Sequence, residues 1–206
     1  MRGRFATAVK WVIFGVSLLP FIVLTLGAVS NDLGPDPADT LIQETGEWTF
    51  RFLLLSLSIT PLRNLGAGSK VFPYRRTFGL FALFYASLHF LIYLLFLLQL
   101  RWSEISEDIL ERPYITVGFT AYLILVLLGV TSVKRMMRWL GRRWKPLHKL
   151  VYLVNILALI HLIWILRTDL TEAVIYASIL LPLLAYRVYR YYVGKTSKQP
   201  NLSTLD

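Results

Sequence analysis

The chain has 206 residues, of which 56% are hydrophobic and only 17% charged, with a formal net charge of +10. Globular domains carry about a quarter of their residues as charges, so this balance excludes an ordinary water-soluble protein and points to a membrane protein. There is no cysteine, which excludes disulfides, thiolate metal sites and cysteine nucleophiles together.

The hydropathy falls into six blocks long enough, at about 1.5 Å of rise per helical residue, to cross roughly 30 Å of hydrocarbon. The first, 11–29 (WVIFGVSLLPFIVLTLGAV), has 19 residues, more than the roughly 7–15 of a signal-peptide core, and is read as a retained helix. The second, about 46–63, is weaker, interrupted by Arg51 and closed by "ITPLR". The third, 78–100 (FGLFALFYASLHFLIYLLFLLQL), is the most apolar. The remaining three are 114–133 (YITVGFTAYLILVLLGVTSV), 147–166, and about 173–193 (AVIYASILLPLLAYRVYRYYV). Pro20 and Pro182 fall inside blocks, which membrane helices tolerate when neighbours satisfy the freed carbonyl. Short alternating strands are absent, so a β-barrel is not expected. The fold class is therefore all-α: a polytopic membrane protein, a six-helix bundle over 11–193 between an N-terminal segment, 1–10, and a tail, 194–206.

Lysine and arginine set the orientation. With both termini cytoplasmic, segments 1–10, 63–76, 134–149 and 187–206 hold 18 of the 22 basic residues, and the outer loops hold three, Arg101, Arg112 and Arg167. That bias satisfies the positive-inside rule. Acidic residues fall the other way, 11 of 12 on the outer side. The net charge is thus explained by anchoring to anionic lipid headgroups, and nucleic acid is not an expected partner. No soluble domain is visible, and the tail "GKTSKQPNLSTLD" is short and polar.

The chemistry-bearing residues are few. His89 lies midway along the third block, in "YASLHFLIY". His148 and His161 lie thirteen positions apart in "KPLHKLVYLVNILALIHLIW". Ionisable groups at membrane depth are costly unless partnered, which makes each a functional candidate, although a lone histidine can also serve by donating to a neighbouring helix. Neutral imidazole is the membrane-compatible ligand for haem iron, and two from facing helices give a six-coordinate electron-transfer centre. Zinc fits less well, with no carboxylate or thiolate nearby to complete its shell. Along the helix axis His148 and His161 are about 20 Å apart and about 140° around it, so they do not share a face. His89 falls between them in depth, and depth alone selects no partner for it.

"TGEWTFRFLLLSLSITPL" (45–62), "ERPYITVG" (111–118), "LGRRWKPLHKLVYLVNILALIHLIW" (140–164) and His89 in "ASLHF" together resemble the MsrQ/YedZ family, within the ferric reductase-like transmembrane superfamily. The resemblance runs over nearly the whole chain. It implies a bacterial inner-membrane electron conduit that carries b-type haem and FMN, with no catalytic site of its own. Electrons would come from a cytoplasmic flavin reductase or membrane quinol and pass to a periplasmic molybdopterin subunit, MsrP, which reduces methionine sulfoxide in oxidised proteins. Carried onto this chain, the haem-iron ligands are His89, His148 and His161, with His89 and His161 the preferred pair because both lie well inside the bilayer. Related oxidases carry two histidines on each of two helices, whereas the third block here offers one; one firmly held haem is expected and a second is left open. A ferric or quinone reductase of the same superfamily is the alternative. A cofactor-free transporter would need intramembrane carboxylates and an inverted repeat, neither of which is visible in the sequence.

Supporting roles follow from charge. Haem propionates call for arginine near the headgroups, and Arg75, Arg76, Arg142 and Arg143 are placed to supply it or to anchor lipid. Arg51, inside the second block, must snorkel or pair with a propionate, Glu47 or Glu44. Trp48, Trp102, Tyr114 and Trp164 read as interfacial belt residues. The acidic outer loops "NDLGPDPADTLIQETGE" and "SEISEDILERP" suit a basic partner, and the inner loop "KRMMRWLGRRWKPLHK" suits a flavoenzyme or an FMN phosphate.

Overall fold

The fold is that of a computed structural model, which describes residues 2–166 and 169–196. Arg167, counted above among the outer basic residues, and the tail beyond 196 lie outside the described residues, as does the side chain of Trp102. Among the described residues all regular structure is helical. The helices are α1 (Arg2–Ser30), α2 (Pro37–Leu62), α3 (Tyr74–Ile92), α4 (Trp102–Glu111), α5 (Pro113–Val130), α6 (Lys134–Leu140), α7 (Trp144–Leu147), α8 (Leu150–Ile165) and α9 (Thr171–Thr196).

Hydropathy predicts six spans. By length and apolar content four segments qualify: Thr7–Ser30, Tyr74–Leu97, Pro113–Val130 and Thr171–Val193. The pair Lys134–Leu147 and Leu150–Ile165, bent by 54°, makes a fifth if it is one span. The shortfall is α2, whose first fifteen residues carry Asp39, Glu44, Glu47 and Arg51. This helix can afford them because it is the most enclosed: Phe50, Phe52, Leu53, Leu54, Ser56, Leu57 and Ile59 are all buried. By contrast α1 exposes Trp11, Val16, Val23 and Leu26 along its length, a surface suited to lipid and not to water.

Several helix boundaries lie outside the hydrophobic blocks. α2 begins nine residues before its block because Asp36 caps it, accepting from the Asp39 N–H at 3.0 Å, with Pro37 in the first turn. The acidic outer loop 101–113 is mostly a helix, α4. Upstream of α9, the exposed Asp169 carboxylate accepts from the Thr171 N–H at 2.9 Å, which holds its carboxyl below the usual range. At the basic end, Gly66 (φ 118°) and Gly68 (φ 71°) adopt left-handed conformations that turn the chain from α2 into α3.

The closest helix pairing is α2 with α3, followed by α5 with α8. The core between α1, α2 and α3 is aromatic: Phe52 stacks on Phe81 and on the fully buried Tyr85, with ring centroids 5.5 and 5.4 Å apart. Trp48 belongs to this cluster, tilted 6.3 Å from Tyr85. Half-buried, it packs one side on the α2–α3 aromatic cluster and carries the Arg51 guanidinium over its ring.

Three prolines stand inside helices, Pro20 in α1, Pro61 in α2 and Pro182 in α9, and the gaps at the first two are filled from another helix. Pro20 disrupts the turn of α1 that contains the Ser17 carbonyl and the Phe21 N–H. The Tyr85 hydroxyl sits in that gap, donating to the Ser17 carbonyl at 2.9 Å and accepting from the Phe21 N–H at 3.0 Å. Pro61 lacks the N–H that the Leu57 carbonyl would otherwise receive, and Arg187 of α9 donates to that carbonyl at 2.7 Å. These are the re-satisfactions that allow proline inside membrane helices.

Candidate functional site

Two of the three histidines are brought together. His89 lies in the last turn of α3 and His161 near the C-terminal end of α8, with ring centroids 6.2 Å apart and planes at 85°. Each ring is oriented by the helix that its own helix packs against most. His89 Nδ1 lies 2.8 Å from the Ile42 carbonyl of α2, and His161 Nδ1 lies 2.6 Å from the Tyr114 carbonyl of α5. A carbonyl only accepts, so both rings carry a proton on Nδ1, and in the neutral ring Nε2 is then the free base.

The same device clears space for both rings. One helical turn beyond each carbonyl stands a glycine. A Cβ at Gly46 would lie 3.1 Å from Cε1 and Nδ1 of His89, and one at Gly118 would lie 2.6 Å and 2.7 Å from Cε1 and Nδ1 of His161. The trio Ile42, Gly46, His89 thus recurs 72 positions later as Tyr114, Gly118, His161. The bundle contains a repeated helix pair, α2–α3 and α5–α8, meeting at the two imidazoles. The glycines stand in the "TGEW" and "ERPYITVG" segments, but their part in holding the histidines depends on contacts between elements.

Both rings line a cavity of about 560 Å³ together with Ala86, Phe90, Phe119 and Leu162, inside the range of about 300–1,000 Å³ for cofactor sites. Its lining also includes the charged residues Asp39, Glu47, Arg101, Asp108, Arg112 and Glu172. Arg101 and Arg112 are cavity residues that the charge bias set aside as exceptions on the acidic side. That exceptional position was the available signal. Arg112 is held at 2.9 Å from Asp108, which also accepts from the Tyr93 hydroxyl.

Arg51 is not part of this lining. Its guanidinium pairs with Glu47, donates to the Tyr176 hydroxyl at 3.1 Å and lies 4.6 Å from the Trp48 ring centroid, so protein groups partner the charge. His148 stands apart from the other two histidines. Its ring stacks on Trp144 at 4.1 Å, and its Nε2 lies 3.1 Å from the Thr131 hydroxyl. Arg75 is half-buried at the start of α3, within electrostatic reach of His148 and Arg187, while Arg76 is exposed. Neither lines the cavity holding His89 and His161.

Comparison with known proteins gives this arrangement its context. Residues 45–159 match the family model described as "Ferric reductase like transmembrane component". The chain is 47% identical over 161 residues, 78% of its own length and 74% of the relative's, to the "Protein-methionine-sulfoxide reductase heme-binding subunit MsrQ" of Xanthomonas euvesicatoria pv. vesicatoria (strain 85-10). The chain belongs to the MsrQ family of ferric reductase-like transmembrane proteins. A protein of the same name from Polaromonas naphthalenivorans (strain CJ2) is 41% identical over 197 residues, 94% of this chain and 90% of that one. With its apolar helices, membership makes the chain a multi-pass membrane protein.

The residues fit a haem. With ring centroids 6.2 Å apart, His89 and His161 would be spaced to hold one haem iron between them. Among the described residues no group of three or more His, Cys, Asp or Glu side chains converges on a metal position. A pair of imidazoles matches iron whose remaining ligands come from a porphyrin.

Proposed function

We propose that this chain is the haem-binding electron-transfer subunit of a methionine sulfoxide reductase system in a bacterial inner membrane. In this reading it takes electrons from a cytoplasmic flavin reductase or the quinol pool and delivers them to a periplasmic molybdopterin partner, MsrP. That partner carries the catalytic site for methionine sulfoxide. FMN accompanies haem b in the reading as a carrier on the basic side. The observation that carries the proposal is the His89–His161 pair: two neutral, carbonyl-oriented imidazoles facing one cavity within a multi-pass bundle.

When bound, haem supplies reversible one-electron chemistry. The chain supplies position and environment. The Ile42 and Tyr114 carbonyls fix both tautomers and increase the basicity of Nε2, as the outer-shell partners of metal-bound histidines do. Phe90, Phe119 and Leu162 give the cavity apolar walls, and Arg101 and Arg112 bring positive charge suited to porphyrin carboxylates. A second haem would fall to His148. The accompanying topology has six spans, α2 supplying the sixth, and both termini cytoplasmic; its support is the distribution of lysine and arginine.

The test is haem content and the reduced-minus-oxidised visible spectrum of the purified protein. The wild-type chain is expected to show the sharp bands of a bis-imidazole haem. His89→Ala and His161→Ala are each expected to lose most of that absorbance at unchanged expression. Undiminished haem in both variants removes the pair, and a colourless wild-type protein produced with ample porphyrin removes the function.

A further inference from the structure

At the basic end of the bundle, away from the histidine cavity, α2, α8 and α9 enclose a second cleft of about 610 Å³. Four cations line it, Arg63, Lys149, Arg187 and Arg190, with the tyrosines Tyr152, Tyr186, Tyr191 and Tyr192, and no Asp or Glu is among its lining residues. Four positive charges sharing one cleft repel one another unless an anion joins them.

Two residues of the lining also carry a buried polar atom without a hydrogen-bond partner among the described residues. Arg187 is fixed in its wall by the Leu57 carbonyl at 2.7 Å and the Tyr152 hydroxyl at 3.1 Å, yet its buried Nε has no hydrogen-bond partner among the described residues. The buried Thr60 hydroxyl, in the same lining, also has none. Buried polar atoms left unmatched in a native fold call for an explanation such as a bound group. Both belong to residues that line the cleft. The chemistry that fits is a phosphate ester: several oxygens, negative charge, no need of a metal.

The surface leading from the cleft indicates which phosphate ester. Val188 lines the cleft and is 56% exposed; Leu181 (60%) and Val174 (64%) continue from it at seven-residue intervals along one face of α9. That apolar stripe continues from the cleft along α9, so acyl chains leaving a headgroup held there would lie on apolar side chains. We propose that this cleft is a binding site for the headgroup of an anionic phospholipid, whose tails lie along the Val174–Leu181–Val188 face of α9. Basic pockets between helices at the cytoplasmic surface are where such headgroups bind. The site shares no residue with the histidine cavity, so the proposal stands or falls separately from the haem reading.

The experiment is native mass spectrometry of the full-length protein, delipidated in mild detergent and titrated with cardiolipin, phosphatidylglycerol or phosphatidylcholine. Wild type is expected to retain one anionic lipid per chain in preference to phosphatidylcholine. The Lys149→Gln/Arg190→Gln double variant changes two exposed cations, and its monodispersity on size exclusion reports that it has folded. It is expected to bind the anionic lipid about thirty-fold more weakly, the loss of two headgroup contacts. Equal retention of phosphatidylcholine, or unchanged affinity in the double variant, overturns the proposal. Displacement of the lipid by inorganic phosphate or flavin mononucleotide at equal concentration also overturns it, by showing a soluble phosphate to be the occupant. Should the double variant aggregate, Tyr186→Phe/Tyr191→Phe is measured instead. It removes two hydroxyl donors and is expected to weaken anionic-lipid binding several-fold; no change there overturns the proposal as well.

Discussion

Gly118 is the residue on which the geometry of His161 depends most closely. A methyl group there would meet the imidazole at 2.6–3.1 Å, and the ring cannot simply retreat because its Nδ1 is tied to the Tyr114 carbonyl on the previous turn. Gly118→Ala is therefore expected to lower stability by about 1–3 kcal/mol through overpacking. It should also lower haem occupancy, because His161 must turn off its carbonyl to make room. Gly46→Ala meets His89 at 3.1 Å, a contact that relaxes with a small shift, and should be the milder change. Thermal unfolding and haem-to-protein ratio measured on both variants check the order; equal and negligible effects would show that the glycines are not spacers.

Proline and its cross-helix partner act together in the helices. Pro20 would be an ordinary kink were it not for the hydroxyl of Tyr85, which stands between the Ser17 carbonyl and the Phe21 N–H. Tyr85→Phe leaves the aromatic stack with Phe52 in place and removes only that hydroxyl. The orphaned carbonyl and N–H are expected to cost about 1–3 kcal/mol, read as a lower thermal midpoint with haem spectrum unchanged, since Tyr85 does not line the histidine cavity. An unshifted midpoint would show that α1 closes its own ladder. In α2, charge placement and capping decide the helix boundaries where hydropathy alone does not: Asp36 starts the helix well outside the apolar block, and Glu47 and Arg51 neutralise each other within it.

Over the whole molecule, charge is unevenly distributed. Asp39, Glu47, Asp108 and Glu172 line the histidine cavity, whereas Arg63, Lys149, Arg187 and Arg190 line the second cleft. An asymmetry of 18 basic residues to three is expected to orient the chain with its basic end in the cytoplasm. Fusing green fluorescent protein after Asp206 should give a fluorescent protein, and fusing alkaline phosphatase there an inactive one. Active phosphatase at that position would reverse the orientation and, with it, the side from which electrons enter.

Composition and residue order determined the solvent, the helical class and the three histidines, because a low-dielectric medium imposes long apolar blocks and makes each imidazole conspicuous. The family was legible too, in short motifs such as "ERPYITVG" and "ASLHF". Depth in the bilayer already favours His89 with His161 as the pair; what required the tertiary structure was how they are brought together and which other groups meet. His89 and His161 are 72 positions apart in sequence and adjoin only because α2–α3 and α5–α8 pack as two like pairs. Arg51 finds Glu47 and Tyr176, and Arg101 and Arg112 line the cavity while Arg75 and Arg76 do not. Hydropathy reports one residue's preference for oil or water; partner choice is a property of two helices and their relative rotation, which no single position encodes.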